Sequence, residues 1–101
     1  MTYSIRYQRR ASNEYESATN WYSEKSDQAS INFSLAIQER INLLKLDPLR
    51  FGKRYKEFRE VAVKRYPYNI VYMVDEKENV VTILSFFHHK RNPKTKYKRL
   101  G

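Results

Sequence analysis

Two adjacent histidines, His88 and His89, are the only histidines in this sequence of 101 residues. An imidazole has an ordinary pKa near ~6.5, so it can accept or donate a proton close to neutral pH. Both follow an apolar stretch that is typical of a strand, and neighbouring strand residues point to opposite faces of a sheet. One histidine should therefore face the layer packed on the sheet, and the other should face away. Proton transfer and a hydrogen bond to the backbone at the strand end are both open as roles.

Basic residues are concentrated in the second half of the chain. The formal net charge is +9, yet residues 1–47 contain six basic and six acidic side chains. Residues 48–101 contain 14 basic and 5 acidic side chains, and no acidic residue follows Glu78. This asymmetry indicates an anionic partner, which would be a nucleic acid, a nucleic-acid machine or an acidic protein segment. A basic surface that serves only solubility is the alternative.

Within that basic half, Arg59 and four residues near strand ends are candidates for contact with the partner. The four could form one positive patch: Lys64, Arg65, Lys90 and Arg91. The guanidinium of Arg59 can bind phosphate or acidic protein groups in a fork. It can equally form a structural ion pair with Glu57 or Asp75, and the sequence does not decide between these roles.

Composition excludes several classes of site. The chain has no cysteine and therefore no disulfide, and two histidines are too few ligands for a structural zinc site. No run of about 18 apolar residues occurs, and residues 1–10 lack the apolar stretch of a secretory signal. We therefore expect a single domain over residues 1–101 that is cytoplasmic, outside any membrane, and without metal or cofactor.

The chain begins with patterns that predict one strand and one helix. Apolar and polar residues alternate from Tyr3 to Tyr7, which predicts a strand over residues 3–9. Ser12 is a candidate N-cap, and apolar residues then recur at helical spacing, so we predict a helix over residues 12–25.

A second helix is predicted over residues 28–47, where Pro48 ends it. Its apolar face consists of Ala29, Phe33, Ala36, Ile37, Ile41 and Leu44, and Ile31, Leu35 and Leu43 are expected to widen that face. The connection to the preceding helix is short, so the two helices should form an antiparallel hairpin.

The second half of the chain predicts strands. These cover residues 58–64, 68–75 and 79–88, and the acidic turn at residues 75–79 links the last two as a hairpin. A basic tail follows at about residues 89–101. The predicted order β-α-α-β-β-β gives an α+β fold, in which a helical hairpin covers one face of a small, twisted, mostly antiparallel sheet. The other face should be shallowly concave.

The role of several aromatic residues has two interpretations, contact with a partner or packing. Tyr66 and Tyr68 could present rings for stacking on nucleic-acid bases, but packing in the core is favoured because Pro67 fixes the entry to a strand. Trp21 and Tyr22 lie at helical spacing and are most simply explained by packing in the core or within the helical hairpin, with a contact between two copies of the chain as the alternative.

The segment REVAVKRYPYNIVYMVD followed by VVTILSFFHHKRNP resembles the RelE/ParE superfamily of toxins from type II toxin–antitoxin systems. The resemblance covers essentially the whole chain and is closer to the ParE branch. Its motifs in this sequence are Phe58-Arg59, Tyr66-Pro67-Tyr68, Ile70 to Tyr72, and His88 to Pro93.

The resemblance implies a toxin that a cognate antitoxin neutralises in a toxin–antitoxin hetero-oligomer. It also implies one of two targets, either DNA gyrase or the ribosome with its mRNA. RelE-type endoribonucleases carry lysines in the strand that corresponds to residues 58–63, and an arginine directly after the tyrosine that corresponds to Tyr68. Here those places are occupied by Glu60, Ala62 and Asn69. This departure favours a ParE-like toxin that inhibits gyrase by binding, without metal or cofactor.

Other endoribonucleases of the superfamily use glutamate, arginine, histidine and a C-terminal tyrosine. If this chain is such a ribonuclease, the resemblance implies the catalytic residues Arg59, His88, Arg91 and Tyr97, with Glu57 or Glu60 and His89 as further candidates. If it is a binding toxin, the expected surface for the target or the antitoxin consists of Arg59, Lys64, Arg65, His88, His89, Lys90 and Arg91.

Overall fold

Two helices cover one face of a five-stranded sheet in the computed structural model, which describes residues 2–100. The elements are β1 (Ser4–Tyr7), α1 (Arg9–Lys25), α2 (Asp27–Leu46), β2 (Lys53–Tyr55), β3 (Phe58–Ala62), β4 (Tyr68–Asp75) and β5 (Val80–His88). Short 3-10 turns lie at Pro48–Arg50 and Pro93–Thr95. The strand order is β1-β5-β4-β3-β2, with β1 parallel to β5 and the other pairs antiparallel. The predicted α+β architecture is confirmed.

The chain passes from β1 into α1 earlier than predicted. β1 ends at Tyr7 rather than at residue 9, and α1 begins at Arg9 rather than at Ser12. The N-cap is Gln8, whose side chain makes no capping bond and whose backbone N–H donates to Ile83 O at 3.0 Å. Ser12 lies inside the first turn, where its N–H bonds to Gln8 O, so its predicted capping role is wrong.

The edge strand β2 was not predicted. It pairs with β3 and is exposed along its whole length, so its three residues have no apolar alternation to reveal it. β3 ends at Ala62 rather than at residue 64, although Val63 N still donates to Tyr68 O at 2.9 Å. No helix lies between β3 and β5, as expected.

The main core lies between the helices and what we call the helix face of the sheet. Its buried members include Ala11, Ala18, Phe33, Ile37, Ile41, Ile70, Tyr72, Ile83 and Phe86. Ile31 and Leu35 are 51% and 64% exposed, so the expectation that they widen the buried face of α2 is wrong. α2 contacts neighbours on one side only, and these two side chains lie outside that stripe.

A second cluster covers the opposite face of the sheet. Phe58, Val71, Leu84 and Phe87 pack there against Tyr97 and Leu100, which is only 5% exposed. We call this the tail face, because residues 93–100, the C-terminal segment, fold back across it instead of leaving it open. Gly101, the last residue of the predicted tail, lies outside the described residues. No helix within residues 2–100 is long and apolar enough to cross a membrane.

Candidate functional site

The end of β5 extends beyond its neighbour β1. Pairing with β1 stops at Tyr7 and Ile83, and a bulge at Leu84 shifts the register with β4. Beyond the end of β1, Glu14 of α1 supplies the hydrogen-bond acceptor for this edge of β5. Its Oε1 accepts hydrogen bonds from Phe86 N at 3.1 Å and from the Ser85 hydroxyl at 2.8 Å. A backbone N–H that would otherwise lack a partner is thereby satisfied.

α1 and the ends of β4 and β5 enclose a groove of about 770 Å³, which we call the α1 groove. Apolar and aromatic side chains form most of its lining, including Ala18, Tyr22, Tyr68 and Phe86. Trp21 stands on one wall and is 54% exposed, so it does not pack inside the hairpin as expected. Tyr22 does pack there, stacked on Phe33 at 4.6 Å between ring centroids. His88, Lys90 and Arg91 line the basic end of this groove.

His88 lies on the helix face, with its ring 4.9 Å from the ring of Tyr68 in a T-shaped contact. Its Nδ1 accepts a hydrogen bond from Lys90 N at 3.0 Å, so the proton of the neutral ring resides on Nε2. Burial, followed by the electrostatic effect of the neighbouring His89, Lys90 and Arg91, lowers the pKa of His88. At neutral pH this side chain is therefore an uncharged hydrogen-bond donor.

His89 lies on the tail face, where its Nε2 is 2.9 Å from Asn69 Oδ1. The prediction that the two histidines face opposite sides of the sheet is confirmed. They consequently belong to two separate environments, and neither shares a hydrogen bond with the other.

Glu60 is the centre of a polar network on the tail face. It is only 7% exposed, and its Oε1 accepts from Asn69 Nδ2 at 3.0 Å and from Lys96 Nζ at 3.1 Å. Its Oε2 accepts from the Tyr97 hydroxyl. Burial alone raises the pKa of Glu60, but the hydrogen bonds from Tyr97, Asn69 and Lys96 outweigh burial and lower it overall. Burial and the neighbouring Glu60 raise the pKa of Tyr97 well above its ordinary value, so a carboxylate faces a protonated phenol.

Arg59 and Glu57 have structural partners. Arg59 Nη1 donates to Phe51 O at 2.6 Å, under the connection that follows α2, and forms no pair with Glu57 or Asp75. The exposed Glu57 instead lies 3.0 Å from Lys53 Nζ. The guanidinium of Arg59 is therefore engaged by backbone on the helix face.

The basic residues of the predicted patch divide between two grooves. Lys64 and Arg65 line a groove against α2, whereas Lys90 and Arg91 line the α1 groove. Arg91 is paired with Glu14, and its guanidinium carbon lies 4.7 Å above the Phe87 ring. Within residues 2–100, the cations with a carboxylate within 4.0 Å are Arg10, Lys53, Arg91 and Lys96, which leaves Lys90 without one.

The structure does not bring the four candidate catalytic residues together. Arg59 and His88 lie on the helix face, Tyr97 lies on the tail face, and Arg91 binds Glu14. Sequence reasoning missed the roles of three partners, Glu14, Asn69 and Lys96. No local signal identifies them, because each acts on a residue at least nine positions away.

Comparison of the fold with solved structures finds toxins of toxin–antitoxin systems. The chromosomal ParDE system of P. aeruginosa matches with a TM-score of 0.72 and 15% identity, over 86% of this chain and 96% of that chain. The toxin–antitoxin complex RelBE2 of Mycobacterium tuberculosis matches with a TM-score of 0.59 and 20% identity, over 87% and 99%. A mutant E. coli RelE toxin in the free state matches with a TM-score of 0.62 and 15% identity, over 89% and 86%. At these identities the likeness establishes the fold.

Sequence comparison identifies the family. No curated protein matches the chain significantly. The family model described as "ParE toxin of type II toxin-antitoxin system, parDE" matches residues 5–93, which is most of the chain and extends from within β1 to beyond the end of β5. This protein therefore belongs to the ParE toxin family, within the RelE/ParE superfamily of type II toxins.

Proposed function

We propose that this toxin arrests growth by binding DNA gyrase, that it acts without metal or cofactor in the cytoplasm, and that a cognate antitoxin neutralises it. The observation that carries this proposal is the separation of the candidate catalytic groups. A metal-free ribonuclease needs a base, an acid and cations around one phosphate. Arg59, His88 and Tyr97 lie in three different environments, and each already has a hydrogen-bond or ring partner within the protein.

The charge distribution supports recognition by binding. Residues 48–101 carry 14 basic and 5 acidic side chains, so they set the sign of the surface field. Lys64, Arg65 and Lys90 are exposed and lack a carboxylate partner within residues 2–100, which leaves them available to a target or to an antitoxin. A target and an antitoxin that contact the same one of these residues cannot bind at the same time, and that exclusion would neutralise the toxin.

Two assays on the purified protein test the proposal. In one, gyrase supercoils relaxed plasmid in the presence of the toxin; in the other, ribosomes are programmed with mRNA. We expect inhibition of gyrase and intact mRNA, and replacement of His88 by Ala should leave the inhibition in place. Cleavage of mRNA that depends on His88, with gyrase unaffected, would overturn the proposal.

A ribosome-dependent mRNA endoribonuclease is the second candidate, and one observation favours it. The tail face gathers an ionised carboxylate, a phenol, an ammonium and an imidazole in one network: Glu60, Tyr97, Lys96 and His89, joined through Asn69. These groups could assist proton transfer if the C-terminal segment opened. Tyr97→Phe would then abolish most mRNA cleavage, whereas it should not affect inhibition of gyrase by binding.

A further inference from the structure

We infer that the outer face of α2 is a contact surface between two copies of this chain, which meet there with their α2 helices antiparallel about a two-fold axis. The inference does not rest on the target of the toxin. It follows from three properties of α2, namely an exposed apolar stripe, the absence of net charge, and the symmetry of the stripe about its midpoint.

The outer face of α2 exposes large aliphatic side chains. Ile31 is 51% exposed, Leu35 is 64% exposed and Leu46 is 67% exposed. With Asn42 they recur at intervals of four and seven residues, which places them along one side of the helix, and we call these four residues the outer stripe. The buried residues of α2 lie on the opposite side: Phe33, Ile37, Ile41 and Leu44. One exposed leucine is ordinary, but several in line on one helix face mark an interaction surface.

The charge of α2 favours a second copy of the chain as the partner. The chain has a net charge of +9, whereas the charged residues of α2 sum to zero: Asp27, Glu39, Arg40 and Lys45. Two copies of a basic protein repel each other least where their surfaces carry no net positive charge. Of these four residues only the two acids are exposed, so the outer face does not suit a nucleic acid, which needs several cations in a row.

The outer stripe is self-complementary, as a two-fold contact requires. If two α2 helices lie antiparallel about an axis between residues 38 and 39, residues at equal distances from that midpoint lie opposite each other. Ile31 then lies opposite Leu46 of the second copy, and Leu35 lies opposite Asn42. The Asn42 side chain already accepts a hydrogen bond from Gln38 Nε2 at 2.8 Å, so its carbonyl keeps a partner beside Leu35.

Charges beside the outer stripe agree with the antiparallel arrangement. Asp27 begins α2 and Arg50 lies in the 3-10 turn after it; both are exposed, and neither forms an ion pair within 4.0 Å among residues 2–100. An antiparallel pair brings Asp27 of each copy towards Arg50 of the other, whereas a parallel pair would bring like charges together. Glu39 lies near the axis, and it shares a groove with Lys64 and Arg65, so cations are available to both copies of this acid.

The size of the outer stripe indicates a weak dimer. It offers three large aliphatic side chains per copy, whereas a standard stable interface uses roughly 20–30 residues on each side. We therefore expect a dissociation constant on the order of 10 µM.

Sedimentation equilibrium of the purified toxin at physiological salt, from about 1 to 200 µM, measures this association. We expect monomer at the low end of this range and dimer at the high end. Leu35→Asp should weaken the association by at least about tenfold, because it places a carboxylate in an apolar contact. Trp21→Asp is the matched control, since it makes the same kind of change at another large, exposed apolar side chain, on α1, and should stay within about twofold of the parent protein.

Circular dichroism verifies that each variant is folded, which the exposure of both side chains favours. If Leu35→Asp does not fold, Leu46→Asp tests the same stripe. A toxin that stays monomeric over the whole range, or a dimer that Trp21→Asp weakens as much as the stripe variant, would overturn the inference.

Introduced cysteines test the antiparallel arrangement, because the chain has no cysteine of its own. Leu35→Cys and Asn42→Cys proteins are oxidised mildly, each alone and as a mixture. The arrangement places these two positions opposite each other, so the disulfide should form in the mixture and much less in either protein alone. Disulfides that form as readily in either protein alone would overturn the antiparallel arrangement.

Discussion

Replacement of Glu60 by Gln should destabilise the fold, because this buried carboxylate ties the C-terminal segment to β3 and β4. Three donors converge on its two oxygens, from Asn69, Lys96 and Tyr97. The glutamine has nearly the same shape but only one acceptor oxygen, and its amide N–H groups would face donors. The change therefore removes the charge and mismatches the network without leaving a cavity.

The magnitude follows from the bonds that are weakened. A hydrogen bond to a charged group contributes about 1.5–3 kcal/mol, against about 0.5–1.5 kcal/mol for a neutral one, so three bonds lose roughly 3 kcal/mol. Relief of the cost of burying the charge, and the partial exposure of Lys96, reduce this loss. We expect a net decrease of about 2 kcal/mol in the free energy of unfolding, or roughly 8–16 °C in Tm for a domain of this size.

The stabilisation by the Glu60 carboxylate should decrease as the pH is lowered. The pKa of Glu60 in the folded protein lies below its ordinary value of 4.5, so the stabilisation is fully present above about pH 4.5. It is lost as the pH falls through the folded-state pKa. The difference between the parent protein and Glu60→Gln should therefore shrink on acidification.

Thermal and denaturant unfolding followed by circular dichroism at pH 7 and pH 3 measures the loss of stability in Glu60→Gln and its dependence on pH. Glu57→Gln is the matched control, since this carboxylate is 77% exposed in its ion pair with Lys53 and should contribute less than about 1 kcal/mol. A loss below about 0.5 kcal/mol for Glu60→Gln at pH 7, or a difference that does not shrink in acid, would refute the argument.

Three further predictions concern toxicity, salt and packing. Replacement of His88 by Ala should lower the free energy of unfolding by about 1 kcal/mol or less and leave growth arrest largely intact. Reversal of charge at Lys90 and Arg91 should reduce growth arrest strongly. A growth assay in which the His88 substitution reduces arrest more than the charge reversal would indicate catalysis. The affinity for the antitoxin should fall steeply between low and physiological salt because the net charge is +9. An affinity that does not change with salt would mean that apolar burial alone governs recognition. Tyr72→Phe should lower the free energy of unfolding by about 1–3 kcal/mol. The fully buried Tyr72 hydroxyl donates to Pro48 O at 2.7 Å, and its removal leaves that carbonyl without this donor. Burial, the main cause, raises the pKa of Tyr72 to about 12, so a spectrophotometric titration should show half of this phenol ionised only at about that pH.

Elements with strong periodicity could be predicted from the sequence. The α2 stripe and the apolar strand β5 were found because apolar side chains recur at the spacing that burial demands. β2 could not be found, because an exposed edge strand is defined by backbone pairing with β3 rather than by its side chains. The start of α1 was misplaced because Gln8 satisfies the β1 ladder and leaves Ser12 no capping role.

The candidate site was predicted less well, for a related reason. The sequence indicated the histidines and the basic cluster as candidate functional groups, but not the acids that pair with some of the basic residues. Glu14 reaches Arg91 across 77 positions, and Glu60 reaches Lys96 across 36. Such pairs depend on how the C-terminal segment crosses the sheet, and no local pattern encodes that path.

The parallel pairing of β1 with β5 has a consequence for the synthesis of this protein. The first strand of the chain has its only sheet neighbour within residues 2–100 in the last strand, from Ser4 against Val80 to Tyr7 against Ile83. While a ribosome is still translating residues 80–88, β1 has no partner, and the helical hairpin lacks the strand against which α1 packs. Contacts this distant in sequence also form slowly. The sheet can therefore be completed only after residues 80–88 have been translated, so a product truncated before them would lack the α1 groove and the basic end beside it.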